Sequence, residues 1–362
     1  MKKSLMLLLV GMLMLSMLLT GCGGGTVEED EVVEEGEVVE EEVVEEVDFF
    51  VGLVTDVGGI DDKSFNQGTW EGVERFAAEF GSDKNFLQSE EDADYLPNLS
   101  AFADEGADLI VAPGFLFLES LAEAASNFPN QKFLLIDEVV DAPNVVSAVF
   151  SEEEGSFLVG VAAALKAQEA GQDTVGYIGG IDFELIQRFE AGFEAGVWAV
   201  DPDMTVLVEY AGAFDSAQTG QALAARLYDQ GAYVIYHAAG GTGNGLIREA
   251  RDRRLNGEDV WAIGVDKDQF EDGIYEGDSS AVLTSMMKRV DVAAYDIAKM
   301  ALEGNFPGGE VYVFNLENEG VGLPENNPNL SDEIVTQVRS YIPQVVSGEL
   351  EVPTLPVRLQ ED

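Results

Sequence analysis

From residue 48 onward, short apolar stretches alternate with longer amphipathic stretches along almost the whole chain. Short apolar stretches are typical of buried strands, whereas longer stretches with apolar residues at helical spacing are typical of amphipathic helices. An alternating order of strands and helices predicts parallel sheets that are covered by helices on both faces. At 362 residues the chain is also longer than one hydrophobic core normally supports. We therefore expect an α/β protein with two lobes, each built on a parallel sheet.

The alternating pattern divides into two series of elements. The first series predicts strands at 49–55, 85–88, 108–112, 132–136 and 145–150, and helices at 65–80, 96–105 and 118–127. The second series predicts strands at 174–178, 205–210, 233–237, 260–265 and 281–285, and helices at 154–168, 184–200, 217–230 and 245–253. A helix at 290–302, a strand at 311–314 and a helix at 332–346 complete the prediction.

Short connections without a low-complexity linker predict a rigid pair of lobes with a cleft between them. We expect residues 48–150 and about 286–310 in the N-terminal lobe, and residues 151–285 and about 311–355 in the C-terminal lobe. Ligands of open parallel sheets bind at the carboxyl ends of the strands. Polar or glycine-rich segments stand at these ends in both series, namely Asp56, Asp137, 239–245, Asp266 and Lys288.

The first 22 residues predict a lipoprotein signal peptide. Two lysines follow Met1, and the apolar run 5–19 is shorter than the roughly 20 residues that a membrane-spanning helix needs. The run leads into Leu-Thr-Gly-Cys22, which resembles a bacterial lipobox, and Cys22 is the only cysteine of the chain. An ordinary signal with a chance cysteine is the alternative. We expect lipid attachment at Cys22 and a location on the extracytoplasmic face of the cell membrane.

Residues 23–47 predict an acidic, disordered tether. Glutamates alternate there with pairs of valines, without a helix cap or a basic partner. An acidic interaction tail is the alternative for this segment. The formal net charge of the whole chain is −50, which argues against nucleic acid as a partner because phosphates would be repelled.

The stretch 54–70, Val-Thr-Asp-Val-Gly-Gly-Ile-Asp-Asp-Lys-Ser-Phe-Asn-Gln-Gly-Thr-Trp, favours a ligand-binding loop over a metal site. It resembles the calcium loop of nucleoside hydrolases, but Thr55 and Val57 occupy the places of the first two carboxylates. Calcium requires six to eight oxygen ligands, so the loss of two carboxylates argues against it. We expect no metal, no cofactor and no enzymatic activity.

Without a metal, the same loop can contact an organic ligand. Gly58 and Gly59 allow a sharp turn, and Ser64 is a suitable N-cap for the following helix. Phe65 offers a flat face for stacking, and Asn66 offers both a donor and an acceptor. The alternative places Phe65 in the core and Asn66 in solvent.

Two further features remain open from the residues alone. The stretch Gly240-Gly-Thr-Gly-Asn-Gly245 satisfies neither the phosphate-loop nor the dinucleotide pattern, so a tight turn competes with a role in binding. His237, the only histidine, lies on a predicted buried strand, where a core role is favoured over catalysis.

Several motifs in order resemble the basic membrane protein family of bacterial substrate-binding lipoproteins. The similarity spans about residues 48–350. Members include purine-nucleoside receptors of ABC transporters, which have a two-lobe periplasmic-binding-protein type I fold. The motifs are 51–66 with Trp70-Glu-Gly72, Gly179-Gly180, Arg188-Phe-Glu-Ala-Gly192, Tyr210-Ala-Gly-Ala-Phe214, Gly240-Gly-Thr-Gly243, Gly264-Val-Asp266 and Thr284-Ser-Met-Met-Lys288.

The resemblance implies a role for each matching position. Asp56, Asp266 and Lys288 would bind the ribose hydroxyls, with help from Gly241. Phe65 would stack on the base beside Ser64, while Asn66 and Asp137 would bind the edge of the base. The second stacking residue would be Tyr236, with Phe214 as the other candidate.

The function that the resemblance implies is capture of inosine, guanosine or adenosine for an ABC transporter permease. A receptor for riboflavin or a sugar, a ligand sensor, and a nucleoside hydrolase are the alternatives.

Overall fold

Two six-stranded sheets organise the part of the chain that the computed structural model describes, residues 46–360. The predicted signal peptide, Cys22 and nearly all of the predicted tether lie outside these residues. The first sheet has the order β13-β5-β4-β3-β1-β2, and all of its strands are parallel. Its strands are β1 (Phe50–Val54), β2 (Asp83–Leu87), β3 (Leu109–Pro113), β4 (Phe133–Ile136), β5 (Val145–Phe150) and β13 (Val311–Phe314).

The second sheet has the order β14-β12-β9-β8-β6-β7, and only β14 runs antiparallel to its neighbour. Its strands are β6 (Thr174–Gly179), β7 (Thr205–Tyr210), β8 (Val234–Ala238), β9 (Trp261–Asp266), β12 (Val282–Lys288) and β14 (Val321–Gly322). A small hairpin is formed by β10 (Ile274–Glu276) and β11 (Ser279–Ser280).

Helices cover both faces of each sheet, as the alternating pattern predicts. The first sheet carries α1 (Phe65–Phe80), α2 (Tyr95–Glu105), α3 (Leu118–Asn127) and α8 (Val290–Leu302). The second carries α4 (Glu152–Glu169), α5 (Glu184–Val200), α6 (Ala217–Asp229), α7 (Gly240–Leu255), α9 (Asp332–Arg339) and α10 (Ile342–Val346). Within the described residues, no helix has the length and apolar character needed to cross a bilayer.

Successive residues of the central strands pack into different clusters, which explains their continuous apolar runs. Val51 and Leu53 of β1 belong to the large core beneath α1 and α8, whereas Val54 joins the cluster under α2 and α3. Because both faces of the sheet are covered, residues on both faces of β1 are apolar. The polar residue Asp56 follows shortly after the end of this apolar run.

Close helix contacts lie beneath the second sheet. A Cβ built on Gly160 of α4 would lie 2.3 Å from the carbonyl oxygen of Phe193, and one on Gly196 of α5 would lie 2.1 Å from that of Phe157. The backbones of α4 and α5 therefore pack directly against each other along the second half of α5.

The predicted lobe of residues 311–314 is wrong. We expected this strand in the C-terminal lobe, but β13 pairs in parallel with β5 of the first sheet, with Val311 beside Ser147 and Phe314 beside Phe150. The chain returns to the second sheet only at β14. A short strand pattern indicates that a strand forms, whereas its partner is chosen by a contact far away in the sequence.

Helix α7 also begins earlier than predicted, at Gly240 rather than Gly245. The glycine-rich stretch is therefore the first part of a helix and not a tight turn. Glycine is needed there for packing, because a Cβ on Gly245 would lie 2.0 Å from the carbonyl oxygen of Ala217.

Candidate functional site

A cavity of about 540 Å³, including the part open to solvent, lies between the carboxyl ends of the two sheets. Seven predicted site residues line it: Asp56, Phe65, Asn66, Asp137, Gly241, Asp266 and Lys288.

Asp137 and Asp266 occupy equivalent positions in the two lobes. Asp137 follows β4 with a φ of 73°, and Asp266 ends β9 with a φ of 68°. Residues other than glycine rarely adopt this left-handed region, and such strain concentrates at functional sites. Both backbones thus leave their strands in a strained turn that brings a carboxylate to the cavity.

Asn66 holds Asp56 in place on the N-terminal side of the cavity. Its amide nitrogen donates to Oδ1 of Asp56 at 2.7 Å and to Oδ2 of Asp62 at 3.1 Å. Its oxygen accepts the backbone N–H of Asp56 at 3.2 Å. Asn66 is only 1% exposed, and both of its donors are engaged, so one lone pair of its oxygen is left for a ligand.

Asp62, which we did not predict as a site residue, caps helix α1. Its carboxylate accepts the backbone N–H groups of Ser64, Asn66 and Gln67 at 2.8–3.1 Å. The predicted cap Ser64 makes no capping bond through its side chain. Its hydroxyl instead donates to the carboxylate of Asp266 in the other lobe. Ser64 is fully buried beside the cavity but is not part of its lining.

Lys288 is a buried cation at the base of the cavity. Its ammonium lies 2.6 Å from Oδ2 of Asp137 and 3.1 Å from Oε1 of Glu152. Burial alone would lower the pKa of Lys288, but the carboxylates of Asp137 and Glu152 outweigh burial and raise it. Among residues 46–360, neither Oδ1 of Asp137 nor Oε2 of Glu152 has a hydrogen-bond partner. One cation therefore serves two carboxylates and leaves acceptor atoms free.

Burial raises the pKa of the cavity carboxylates. The pKa of Asp56 rises to about 6 despite its bonds from Asn66 and Gly58, and that of Asp266 rises to about 7 despite Lys288 and Ser64. The pKa of Glu152 also rises to about 7, mainly through burial. Burial away from water is thus the largest effect on these three pKa values, because the charged form of a carboxyl group is less stable where water cannot solvate it.

Aromatic rings line the rest of the cavity. Phe65 comes from the N-terminal lobe, whereas Phe189 and Phe214 come from the C-terminal lobe. A Cβ on Gly180 would lie 2.2 Å from the ring of Phe214, so this glycine makes the place for that ring. At the edge of the cleft, Phe115 stacks on Phe183 of the other lobe with ring centroids 4.6 Å apart.

Tyr236, our first candidate for the second stacking face, does not line the cavity. It is fully buried, its hydroxyl is 3.1 Å from that of Ser156, and its ring packs against Tyr177 and Phe193. Side chains alternate along a strand, and this position on β8 faces α4 and α5. Phe214, the other candidate, is the one that lines the cavity.

Some lining residues could have been found with the rule we used. Gly114 and Phe115 directly follow β3 and thus stand at a strand end, whereas Leu185 is the second residue of α5, well after the end of β6. Phe189 lies within one of the motifs that carry the resemblance. Asp62 carried a signal as well, because an aspartate two residues before Ser64 can cap a helix.

His237 is a core residue, as the sequence favours. It is fully buried, and burial lowers its pKa to about 4 despite its bond to Gln269. Among residues 46–360, no three His, Cys, Asp or Glu side chains are grouped as a metal ion requires.

The arrangement suits an uncharged polar ligand that carries a flat ring. Carboxylates accept hydrogen bonds from hydroxyl or amino groups, and aromatic rings stack on a flat ligand. The backbone N–H groups at the start of α7, where Gly240 and Gly241 line the cavity, add donors because a first helical turn leaves them unpaired.

Known proteins resemble this chain over its folded part. A family profile described as "ABC transporter substrate-binding protein PnrA-like", Bmp, matches residues 49–355. The CD4+ T-cell-stimulating antigen of Listeria monocytogenes is 41% identical over 321 residues, covering 85% of this chain and 89% of that protein. The ABC transporter nucleoside-binding protein BmpA of Lactococcus lactis subsp. cremoris is 37% identical over 319 residues, covering 85% and 90%.

A solved structure also matches. The ABC transporter solute-binding protein of Aeropyrum pernix K1 superimposes with a TM-score of 0.76 at 28% identity, covering 84% of this chain and 94% of that one. The predicted fold, a two-lobe periplasmic-binding-protein type I fold, is confirmed. The family match over most of the chain leads to one conclusion: the chain belongs to the Bmp family of ABC transporter substrate-binding proteins.

Proposed function

We propose that this protein is a lipid-anchored receptor that captures a purine nucleoside between its lobes and delivers it to an ABC transporter permease. The observation that carries the proposal is the composition of the cavity. Buried carboxylates line the cavity together with aromatic rings from opposite lobes, and Oδ1 of Asp137 has no partner among residues 46–360. A nucleoside has hydroxyl groups that can donate to the carboxylates and a flat base that can stack on the aromatic rings. The name of the Lactococcus relative is consistent with this ligand class.

The ribose contacts Asp56, Asp266 and Lys288 in this proposal. Oδ1 of Asp56 already accepts bonds from Asn66 and from the backbone N–H of Gly58 at 2.8 Å, so its other oxygen is the one for a hydroxyl. A hydroxyl bound to an ionised carboxylate makes a charge-assisted bond, which is stronger than a neutral one. The N–H groups near Gly241 donate to the sugar oxygens.

The base lies between Phe65 and Phe214. These rings come from different lobes, so stacking on both requires the lobes to be closed. Asp137 accepts an N–H group of the base through Oδ1, its buried oxygen without a partner among residues 46–360. Asn66 supports Asp56 and offers its remaining lone pair to the edge of the base. Ser64 keeps Asp266 oriented instead of contacting the ligand itself.

Charge in the cavity argues for a nucleoside over a nucleotide. Asp56, Asp62, Asp137 and Asp266 face one ammonium, that of Lys288. A phosphate would add negative charge to a site that already has excess negative charge in surroundings of low polarity. We therefore expect nucleoside monophosphates to bind poorly.

Attachment and location rest on the leader sequence. A lipid on Cys22 would hold the receptor at the extracytoplasmic face of the cell membrane, with residues 23–47 as an acidic tether. Such a receptor binds its ligand and releases it unchanged, so the protein is a carrier and not an enzyme in this proposal.

Calorimetry with inosine, guanosine, adenosine, hypoxanthine and riboflavin tests the ligand. We expect at least one nucleoside to bind far more tightly than hypoxanthine, which lacks the ribose. Mass spectrometry of the purified protein should detect a retained nucleoside. Equal binding of hypoxanthine contradicts the ribose contacts, and binding of riboflavin alone contradicts the ligand class. Release of hypoxanthine from inosine would instead support a hydrolase.

A further inference from the structure

Hydrogen bonds from two side-chain amides join the lobes beside the cavity, at the turn of residues 62–64. Asn244 donates to the carbonyl oxygen of Asp62 at 2.9 Å, and Gln269 donates to that of Lys63 at 3.0 Å. The turn precedes α1 in the N-terminal lobe, whereas Asn244 lies in α7 and Gln269 follows β9 in the C-terminal lobe. Neither amide belongs to a residue that lines the cavity.

The neighbours of Gln269 determine which way its amide faces. Its oxygen accepts the backbone N–H of Val265 at 3.0 Å, and a backbone N–H can only donate. The NH₂ group must therefore face Lys63. The same oxygen lies 3.1 Å from Nε2 of His237, so this nitrogen carries the histidine proton. Gln269 is 0% exposed and is thus held ready for the bond across the cleft.

The turn directs two carbonyl groups to the other lobe, while the N–H of Ser64 is bound within its own lobe. The carboxylate of Asp62 accepts N–H groups on the N-terminal side of the helix, including that of Ser64 at 2.9 Å. Lys63 has a φ of 58°, in the left-handed region, so the turn has a defined and strained shape. The N–H of Ser64 is thus bound within the N-terminal lobe, whereas the carbonyl groups of Asp62 and Lys63 bind the other lobe.

Asn244 gives the glycine-rich start of α7 a role beyond the cavity lining. A Cβ on Gly243 would lie 2.0 Å from Nδ1 of His237, and one on Gly245 would lie 2.0 Å from the carbonyl oxygen of Ala217. The residues on either side of Asn244 are therefore in close contact with β8 and α6. This packing gives the amide of Asn244 a fixed position relative to the lobe that carries it.

We propose that Asn244 and Gln269 are closure residues, which stabilise the closed arrangement of the lobes and slow ligand release without contacting the ligand. The inference rests on the proposed function in that the ligand enters when the lobes separate. On opening, water replaces these partners, so each bond shifts the balance by only about two- to tenfold. Apparent affinity scales with the fraction of protein that is competent to close, so the factor is the same for every ligand.

The test compares Asn244→Ala with the matched control Asn256→Ala. Asn256 follows the same helix and donates to the carbonyl oxygen of Asp252 at 2.9 Å, within one lobe. Dissociation rates of inosine, guanosine and adenosine are measured for both variants and the native protein. We expect Asn244→Ala to release every bound nucleoside about two- to tenfold faster, with unchanged order of preference, and Asn256→Ala to match the native protein. Unchanged rates, or a factor that differs between nucleosides, would overturn the proposal.

Gln269→Glu provides a second variant. It keeps an oxygen for the N–H of Val265 and replaces the donating NH₂ group by a second oxygen that faces the carbonyl of Lys63. At pH 8 we expect faster release for every nucleoside here too, and no acceleration would count against the role of Gln269. Melting temperatures of ligand-free variants show whether each one is folded.

Spin labels separate failure of this inference from failure of the proposed function. The exposed residues Glu123 of α3 and Ala222 of α6 are replaced by cysteine in a Cys22→Ser background and labelled. If none of the nucleosides binds, the proposed ligand is wrong. The distances between the two labels then test the closure role by themselves. A short-distance population in the native protein that Asn244→Ala lowers supports the closure role. Identical distance distributions overturn it.

Discussion

The hydroxyl of Ser64 in one lobe donates a hydrogen bond to the carboxylate of Asp266 in the other. Asp266 is also the end of a buried strand, has a left-handed backbone, and has a pKa that burial raises to about 7. A left-handed backbone and a buried carboxylate both reduce the stability of the folded protein. The left-handed backbone, the raised pKa and the position in the cavity are consistent with the proposed contact between this carboxylate and the ligand.

Asp266→Asn should therefore stabilise the ligand-free protein at pH 8 and weaken nucleoside binding. The folded pKa of about 7 lies above the unfolded value near 3.8, so the native protein loses stability as the pH rises between these values. The gain should be at most about 4 kcal/mol at pH 8 and should shrink toward pH 5. Loss of the charge-assisted bond should weaken binding by about 1.5–3 kcal/mol. Urea unfolding and calorimetry measure the two effects, and a variant that is less stable at pH 8 would contradict the pKa assignment.

Phe214→Ala and Tyr236→Phe distinguish the two candidates for the second stacking face. Phe214→Ala should weaken nucleoside binding by about 1–3 kcal/mol, as expected for loss of base stacking. Tyr236→Phe should leave affinity unchanged and lower the free energy of unfolding by about 0.5–1.5 kcal/mol, because Ser156 loses its partner. The reverse pattern in calorimetry and denaturation would return Tyr236 to the site.

Lys288→Met should destabilise the protein by about 3–5 kcal/mol, since it leaves Asp137 and Glu152 buried without their cation. Both carboxyl groups can escape the penalty by binding protons, so the loss should be larger at pH 8 than at pH 5.5. Adding Glu152→Gln to Lys288→Met should recover part of the stability in urea unfolding. A loss that is independent of pH, with no recovery in the double variant, would show that packing dominates instead.

Gly196→Ala should destabilise the protein by about 1–3 kcal/mol, although alanine is the better helix former. The new Cβ would lie 2.1 Å from the carbonyl oxygen of Phe157, so α4 and α5 would have to separate. Gly322→Ala is the control, because a Cβ there meets nothing within 4 Å. Thermal denaturation compares the two, and equal melting temperatures would show that the helix contact yields easily.

Cys22→Ser should release the protein from membranes without changing its folded part. Cys22 lies outside the described residues, and the prediction rests on the lipobox pattern alone. In the lipid-anchor proposal, the acyl chains supply the membrane affinity, and the acidic protein itself would be repelled by anionic lipids. Fractionation followed by a salt wash measures retention, and nucleoside affinity of the released protein serves as the control. A mutant that stays in the membrane fraction would contradict the lipid anchor.

Local pattern in the sequence predicted the elements and one edge of the site. The run ending at Val54 is continuously apolar because both faces of its sheet are covered, so Asp56 could be placed at a strand end. Asp137 and Asp266 followed from the same rule. These inferences depend only on the period of apolar residues and on the chain direction, which neighbouring residues determine.

Tertiary structure alone decided which side chains line the cavity, which distant strands pair and which groups form hydrogen bonds. The sequence pattern of β8 could not show that the side chain of Tyr236 points away from the cavity. Which face of a strand is turned to the cavity depends on the helices that pack on the sheet. The lobe of Val311–Phe314 depended on pairing with β5, about 160 residues away in the chain. The bonds from Asn244 and Gln269 to the 62–64 turn likewise arise from contacts between residues far apart in the chain. Local sequence determines which elements form, whereas the geometry of contacts between them determines which atoms are left free for a ligand.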